Sequence, residues 1–133
     1  MNSKILLVED NEFTALALSR MLKKHGYEVA VAADAISALD CALRFEPDLV
    51  LLDISIPGGN GFSVAENIQK ILSKPVHIFF ITSGIDPQLK AKAEAMGAAE
   101  FIQKPFSMAQ LLESIRDTME GRRSTRKEVY ALH

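Results

Sequence analysis

Residues 48–59 read DLVLLDISIPGG. Leu49 to Leu52 is an unbroken apolar run, the pattern of a strand covered on both faces rather than the alternation of a half-exposed one. Asp53 ends that run, and apolar residues resume before Pro57. A carboxylate in this place has no helix start within reach to cap. It therefore reads as the point where a buried strand emerges into a crevice.

Outward from this stretch, strand-like apolar segments recur at Ile5–Val8, Tyr27–Val31, Val76–Ile81 and Ala99–Ile102. Stretches with helical spacing separate them. FTALALSRMLKKHG sets Leu18, Met21 and Leu22 on one face and closes at Gly26, a left-handed C-cap. DAISALDCALRFEP opens on Asp34 as N-cap, puts Leu39, Ala42 and Leu43 on one side and stops before Pro47. FSVAENIQKILSKP follows, then DPQLKAKAEAMG with Asp86 as N-cap, Pro87 at the first helical position and Gly97 at the end. In SMAQLLESIRDTME, Ser107 and Gln110 have capping-box spacing. Strand and helix thus alternate five times, which predicts an α/β fold: an open parallel sheet with right-handed crossovers and helices on both faces.

The chain has 133 residues, the size of one domain, with 48% hydrophobic and 24% charged residues. No apolar run approaches the roughly 18 residues of a membrane span, so a soluble protein is expected. MNSKILLVED is too short in its apolar part for an export signal, and Cys41 has no second cysteine to pair with. Both point to the cytoplasm. Arg122, Arg123, Arg126 and Lys127 against Glu128 give residues 121–133 a charge of +3, so that of the total of −2 residues 1–120 carry −5. The expected domain is 2–120, with 121–133 as a basic tail or linker stub. An acidic body argues against nucleic acid as its partner.

In such a sheet the residues just past each strand form the functional edge. Here they are Glu9 and Asp10, Asp53, Thr82 and Ser83, and Lys104 and Pro105. Singly, each has an ordinary use: Asp10 as a helix N-cap, Thr82 and Ser83 as turn residues, Lys104 as a surface cation, Pro105 as a strand terminator able to be cis. Together they are three acids, two hydroxyls and an ammonium on one edge. Clustered carboxylates repel unless a cation compensates, and an all-oxygen donor set suits Mg²⁺. Asp53 is then a nucleophile for phosphorus that needs no separate base, with Lys104 neutralising phosphoryl charge and Thr82 donating a hydrogen bond.

ILLVEDN, PDLVLLDISIPGGNGF, FFITSG and GAAEFIQKPF, in this order and spacing, resemble the response-regulator receiver domain of two-component signalling. The resemblance covers residues 2–120. It implies a flavodoxin-like, doubly wound sheet of five strands in the order 2-1-3-4-5 with five helices. It makes Asp53 the phosphoacceptor, served by a histidine kinase or histidine phosphotransfer protein. Mg²⁺, or Mn²⁺ in its place, would be held by Glu9, Asp10, Asp53 and the backbone carbonyl of Ser55. Thr82 and Lys104 would contact the phosphoryl group, Thr82 and Phe101 would switch, and Pro105 would follow a cis bond. The surface of the fourth helix, fifth strand and fifth helix would be the readout and a route to homodimers. The implied protein is a signalling switch, not an enzyme with turnover. In the loop IPGGNG, Gly61 lets the chain turn into the third helix, and the adjacent Gly58 and Gly59 imply mobility.

Two other classes stay open. An aspartate-nucleophile phosphohydrolase generally carries a second acid two residues after its nucleophile, where this chain has Ser55. A scaffold or dimerisation module would bind no metal. A nucleotide-binding flavodoxin relative is disfavoured, since EDNE after the first strand would repel a phosphate.

Overall fold

The apolar runs pair in a computed structural model that describes residues 2–84 and 86–121. The strands are β1 (Lys4–Val8), β2 (Glu28–Ala32), β3 (Leu49–Asp53), β4 (His77–Thr82) and β5 (Glu100–Gln103). They alternate with α1 (Glu12–Lys24), α2 (Ala35–Phe45), α3 (Gly61–Ile71), α4 (Pro87–Ala95) and α5 (Met108–Met119). The sheet is parallel throughout, in the order β2-β1-β3-β4-β5. Residues 122–133, most of the expected basic tail, lie outside the described residues.

Alternation along the strands divides the core into two layers. Leu6 and Val8 of β1, Val50 and Leu52 of β3, and Phe80 of β4 meet Ala38 and Ala42 of α2 and Ala65 and Ile68 of α3. Ile5, Leu7, Leu49, Leu51 and Phe79 point the other way, against Leu18 and Leu22 of α1 and Leu111 and Ile115 of α5. Among the described residues no helix is long and apolar enough to cross a membrane.

Side-chain oxygens cap all five helices. Asn11, Asp34, Asn60, Asp86 and Ser107 accept from the backbone N–H of Thr14, Ser37, Ser63, Gln88 and Gln110. Each such cap contributes about 1 kcal/mol. Asp34, Asp86 and Ser107 are the caps the sequence predicts; at α1 the cap is Asn11, which leaves Asp10 outside the helix. On α2 the expected packing of Leu43 does not occur, and its side chain is 54% exposed. The buried stripe is Ala35, Ala38 and Ala42, small residues that let α2 lie close to the sheet and to α3, and Leu43 falls on the flank of that stripe.

Gly61 is needed for closeness rather than for turning. A Cβ there would stand 2.7 Å from Ile54 Cα and 3.0 Å from the Asp53 carbonyl oxygen, because Gly61 N donates to Ile54 O at 2.9 Å. The paired glycines before it also face a wall. Ala35 N donates to Pro57 O at 3.0 Å, and a Cβ on Gly59 would lie 3.3 Å from the Ala35 methyl group. The loop after Asp53 is therefore docked on the first turn of α2. Replacing Gly61 with alanine forces backbone against backbone, and we expect Gly61→Ala to lower stability by about 1–3 kcal/mol. Urea unfolding should show it as a lower midpoint at unchanged slope.

Candidate functional site

Strand order decides which strand ends meet. β1 lies between β2 and β3, so the crevice opens beside the carboxyl ends of β1 and β3. Val8 is the register partner of Leu52, which sets Glu9 and Asp10 beside Asp53. Asp53 pairs with Ile81, and Thr82 with Gln103, so β4 and β5 bring Thr82 and Lys104 to the same edge. Asp53 and Thr82 are the last ladder residues of their strands rather than loop residues, which restrains their backbones. Lys104 N donates to Thr82 O at 2.8 Å, and the Lys104–Pro105 peptide bond is cis.

Glu9 and Asp53 are buried, 3% and 7% exposed, while Asp10 is open to solvent. One carboxylate oxygen of each acid lies within 4.8 Å of the others. Lys104 bridges the two buried ones, its Nζ donating to Asp53 Oδ2 at 2.9 Å and to Glu9 Oε1 at 3.1 Å. Burial would lower the Lys104 pKa, but hydrogen bonds and the charges of Asp53 and Glu9 outweigh it and hold the ammonium above its ordinary value. The remaining oxygens take backbone donors: Ser55 N to Asp53 Oδ1 at 2.9 Å and Asn11 N to Glu9 Oε2 at 3.2 Å. Three acids against one ammonium leave a negative surplus at a solvent-open mouth. That donor set, all oxygen and closely spaced, fits a hard divalent cation.

Thr82 is 2% exposed, and its hydroxyl accepts from Gly84 N at 2.9 Å. Phe101 is 9% exposed and packs with Phe80 and Ala93 in the layer under α3 and α4. Three residues at this edge escape sequence reasoning: Asn11, Asn60 and Gln103. Asn11 and Asn60 are legible after the fact as capping asparagines just before a helix. Gln103, whose Nε2 donates to Gly84 O at 3.2 Å, is visible only as a polar end to an apolar strand. Ser55 is exposed, with its N–H rather than its carbonyl engaged at the site.

A family model described as the response regulator receiver domain matches residues 5–116. The transcriptional regulatory protein YxdJ of Bacillus subtilis is 37% identical over 114 residues, 86% of this chain and 49% of its own. The sporulation initiation phosphotransferase F of the same organism is 29% identical over 116 residues, 87% of this chain and 93% of its own. The chain thus spans about half the length of the first and nearly all of the second. The solved non-phosphorylated HemR receiver domain of Leptospira biflexa superposes with a TM-score of 0.82 at 35% identity, covering 89% of this chain and 94% of that one.

Because Asp10 adds an exposed negative charge to two buried ones, Asp10→Asn should stabilise the metal-free protein. The gain is at most about 1 kcal/mol for charges a few ångström apart in water. It should shrink as salt is added, a dependence that urea unfolding at two ionic strengths checks directly.

Proposed function

The chain belongs to the response regulator receiver domain family, and we propose that it is a phosphorylation switch whose Asp53 takes a phosphoryl group from a histidine kinase or a histidine phosphotransfer protein. The observation that carries this reading is a single one. Asp53 is a buried carboxylate whose two oxygens are held by Ser55 N and Lys104 Nζ, at the edge of an acid cluster open to solvent.

A carboxylate oxygen of Asp53 attacks phosphorus in line, forming the acyl-phosphate bond as the phosphorus–nitrogen bond to the donor imidazole breaks. The leaving imidazole keeps the electron pair, and no proton need be removed from the nucleophile. Lys104, already on Asp53, follows the negative charge onto the phosphoryl oxygens. Ser55 N–H holds the carboxylate in place while this happens. Glu9, Asp10, Asp53 and the Ser55 carbonyl would hold Mg²⁺ or Mn²⁺. When bound, the ion supplies charge neutralisation on the transferring group.

The phosphoryl group adds about −1.5 to −2 charge and new acceptor oxygens. Thr82 and Lys104 gain a partner that the resting state lacks, and the segment from Ser83 to α4 moves with Thr82. Phe101 starts from a buried position, so its part as a switch is a rearrangement within the core. α4 is well suited to respond. It buries only Ala93 fully, and Lys92 reaches across to the Phe62 ring at 4.7 Å. The surface of α4, β5 and α5 is then the readout and the route to a homodimer. Taking the equilibrium from 1:99 to 99:1 requires about 5.5 kcal/mol of differential stabilisation. A cytoplasmic site of action and an acidic domain unsuited to nucleic acid complete the reading. The two Bacillus relatives stand for the two settings it allows, the receiver part of a longer regulator and a stand-alone relay protein.

The phosphohydrolase alternative lacks its general acid, since Ser55 occupies that place. Incubation with Mg²⁺ and acetyl phosphate, followed by intact-mass measurement, should add one phosphoryl group to the wild type and none to Asp53→Asn. Equal labelling of both, or steady turnover of an aryl phosphate, would remove the reading.

A further inference from the structure

Thr82 and Gln103 are register partners at the ends of β4 and β5, standing above the Phe80 and Phe101 pair on the same face of the sheet. Two hydrogen bonds join them through one residue. Gly84 N donates to Thr82 Oγ1 at 2.9 Å, and Gln103 Nε2 donates to Gly84 O at 3.2 Å. Gly84 has no side chain with which to anchor itself, and a Cβ there would lie 3.2 Å from both Thr82 Oγ1 and Leu89 Cδ1. Its placement is thus set by Gln103 on one side and Thr82 on the other.

We propose that Gln103 is a positioning residue that holds the Thr82 hydroxyl in its resting orientation, and so sets how readily the domain accepts a phosphoryl group. The inference rests on the reading of Thr82 as the phosphoryl-contacting hydroxyl. Asp53 Oδ1 is bonded to Ser55 N and Oδ2 to Lys104 Nζ, while Thr82 Oγ1 is engaged by Gly84. On that reading the hydroxyl swings toward a phosphoryl oxygen on Asp53, and a swing that carries Oγ1 away from Gly84 N breaks their hydrogen bond. As long as Gln103 keeps the Gly84 carbonyl fixed, the Gly84 N–H stays aimed at the resting position of Thr82, and such a swing costs that bond. Without Gln103, Gly84 can follow the hydroxyl or relax, and the resting state loses its advantage. The latch spans two strands, so it also ties the loop before α4 to β5, within the surface that reads out the switch.

The test uses beryllofluoride with Mg²⁺ as a stable phosphoryl analogue, titrated into wild type, Gln103→Met, Thr82→Val and the double variant. Methionine keeps the length of the side chain and removes the donor; Gln103→Ala serves as a second variant should methionine disturb packing. Loss of one such hydrogen bond should tighten analogue binding roughly threefold to tenfold in Gln103→Met. It should change nothing in the Thr82→Val background, where no hydroxyl remains to be held. The Gly84 amide of the free protein should exchange faster in Gln103→Met. Unchanged or weaker binding by Gln103→Met, or the same tightening when Thr82 is valine, overturns the proposal while leaving the phosphoacceptor reading in place. A wild type that binds no beryllofluoride would instead remove that reading, and the latch with it.

Discussion

One ammonium group makes the carboxyl edge of this sheet tolerable. Glu9 and Asp53 are buried side by side, and two carboxylates removed from water at this distance oppose each other strongly. Lys104 spans them, and the same contacts hold its proton more firmly than in a free lysine. The remaining carboxylate oxygens are met by the backbone N–H groups of Ser55 and Asn11, so neither buried acid depends on the lysine alone. Asp10 is left over, and its exposure keeps the cluster short of cations and accessible to one. A site short of positive charge is suited to a divalent cation, which would offset the surplus carboxylate.

The fold's part is to make that arrangement from residues 95 positions apart. Glu9 follows β1 and Lys104 follows β5, yet parallel pairing through β3 and β4 sets their side chains 3.1 Å from each other. The same register places Thr82 beside Gln103 and sets both over the aromatic pair below. Rigidity and freedom are distributed unevenly around the edge. The loop after Asp53 is docked on α2 and closed against Gly61, whereas α4 rests on Ala93, partly buried neighbours and one cation over a ring. The two sides of the edge therefore differ in how firmly they are held, with a docked loop on one and a lightly packed helix on the other.

Much of this was legible in the residues. The run Leu49–Leu52 reads as a two-sided strand, and the five alternations give the fold class, because parallel strands need helical crossovers. The capping residues Asp34, Asp86 and Ser107 are local signals and were legible for that reason. The strand order came through the resemblance, since spacing along the chain says which strands are parallel but not which are neighbours. Leu43 misled because apolar character alone cannot separate the stripe of small residues under α2 from its flank. Gln103 was invisible because its bond to Gly84 crosses 19 residues and exists only once β4 and β5 are in register. Asp10 taken alone would read as a helix cap, but its neighbours already pointed to the acid cluster, and Asn11 fills the capping place.

A phosphoryl group, once delivered, should reside on Asp53 and on no other acid of the cluster. Borohydride converts an acyl phosphate of aspartate to homoserine, so labelling the native chain with Mg²⁺ and acetyl phosphate, reducing it and mapping its peptides reads the position directly. Homoserine at position 53 alone is the predicted result. Reduction product at position 9 or 10, or none at position 53 in a chain that has gained a phosphoryl group, would contradict the account.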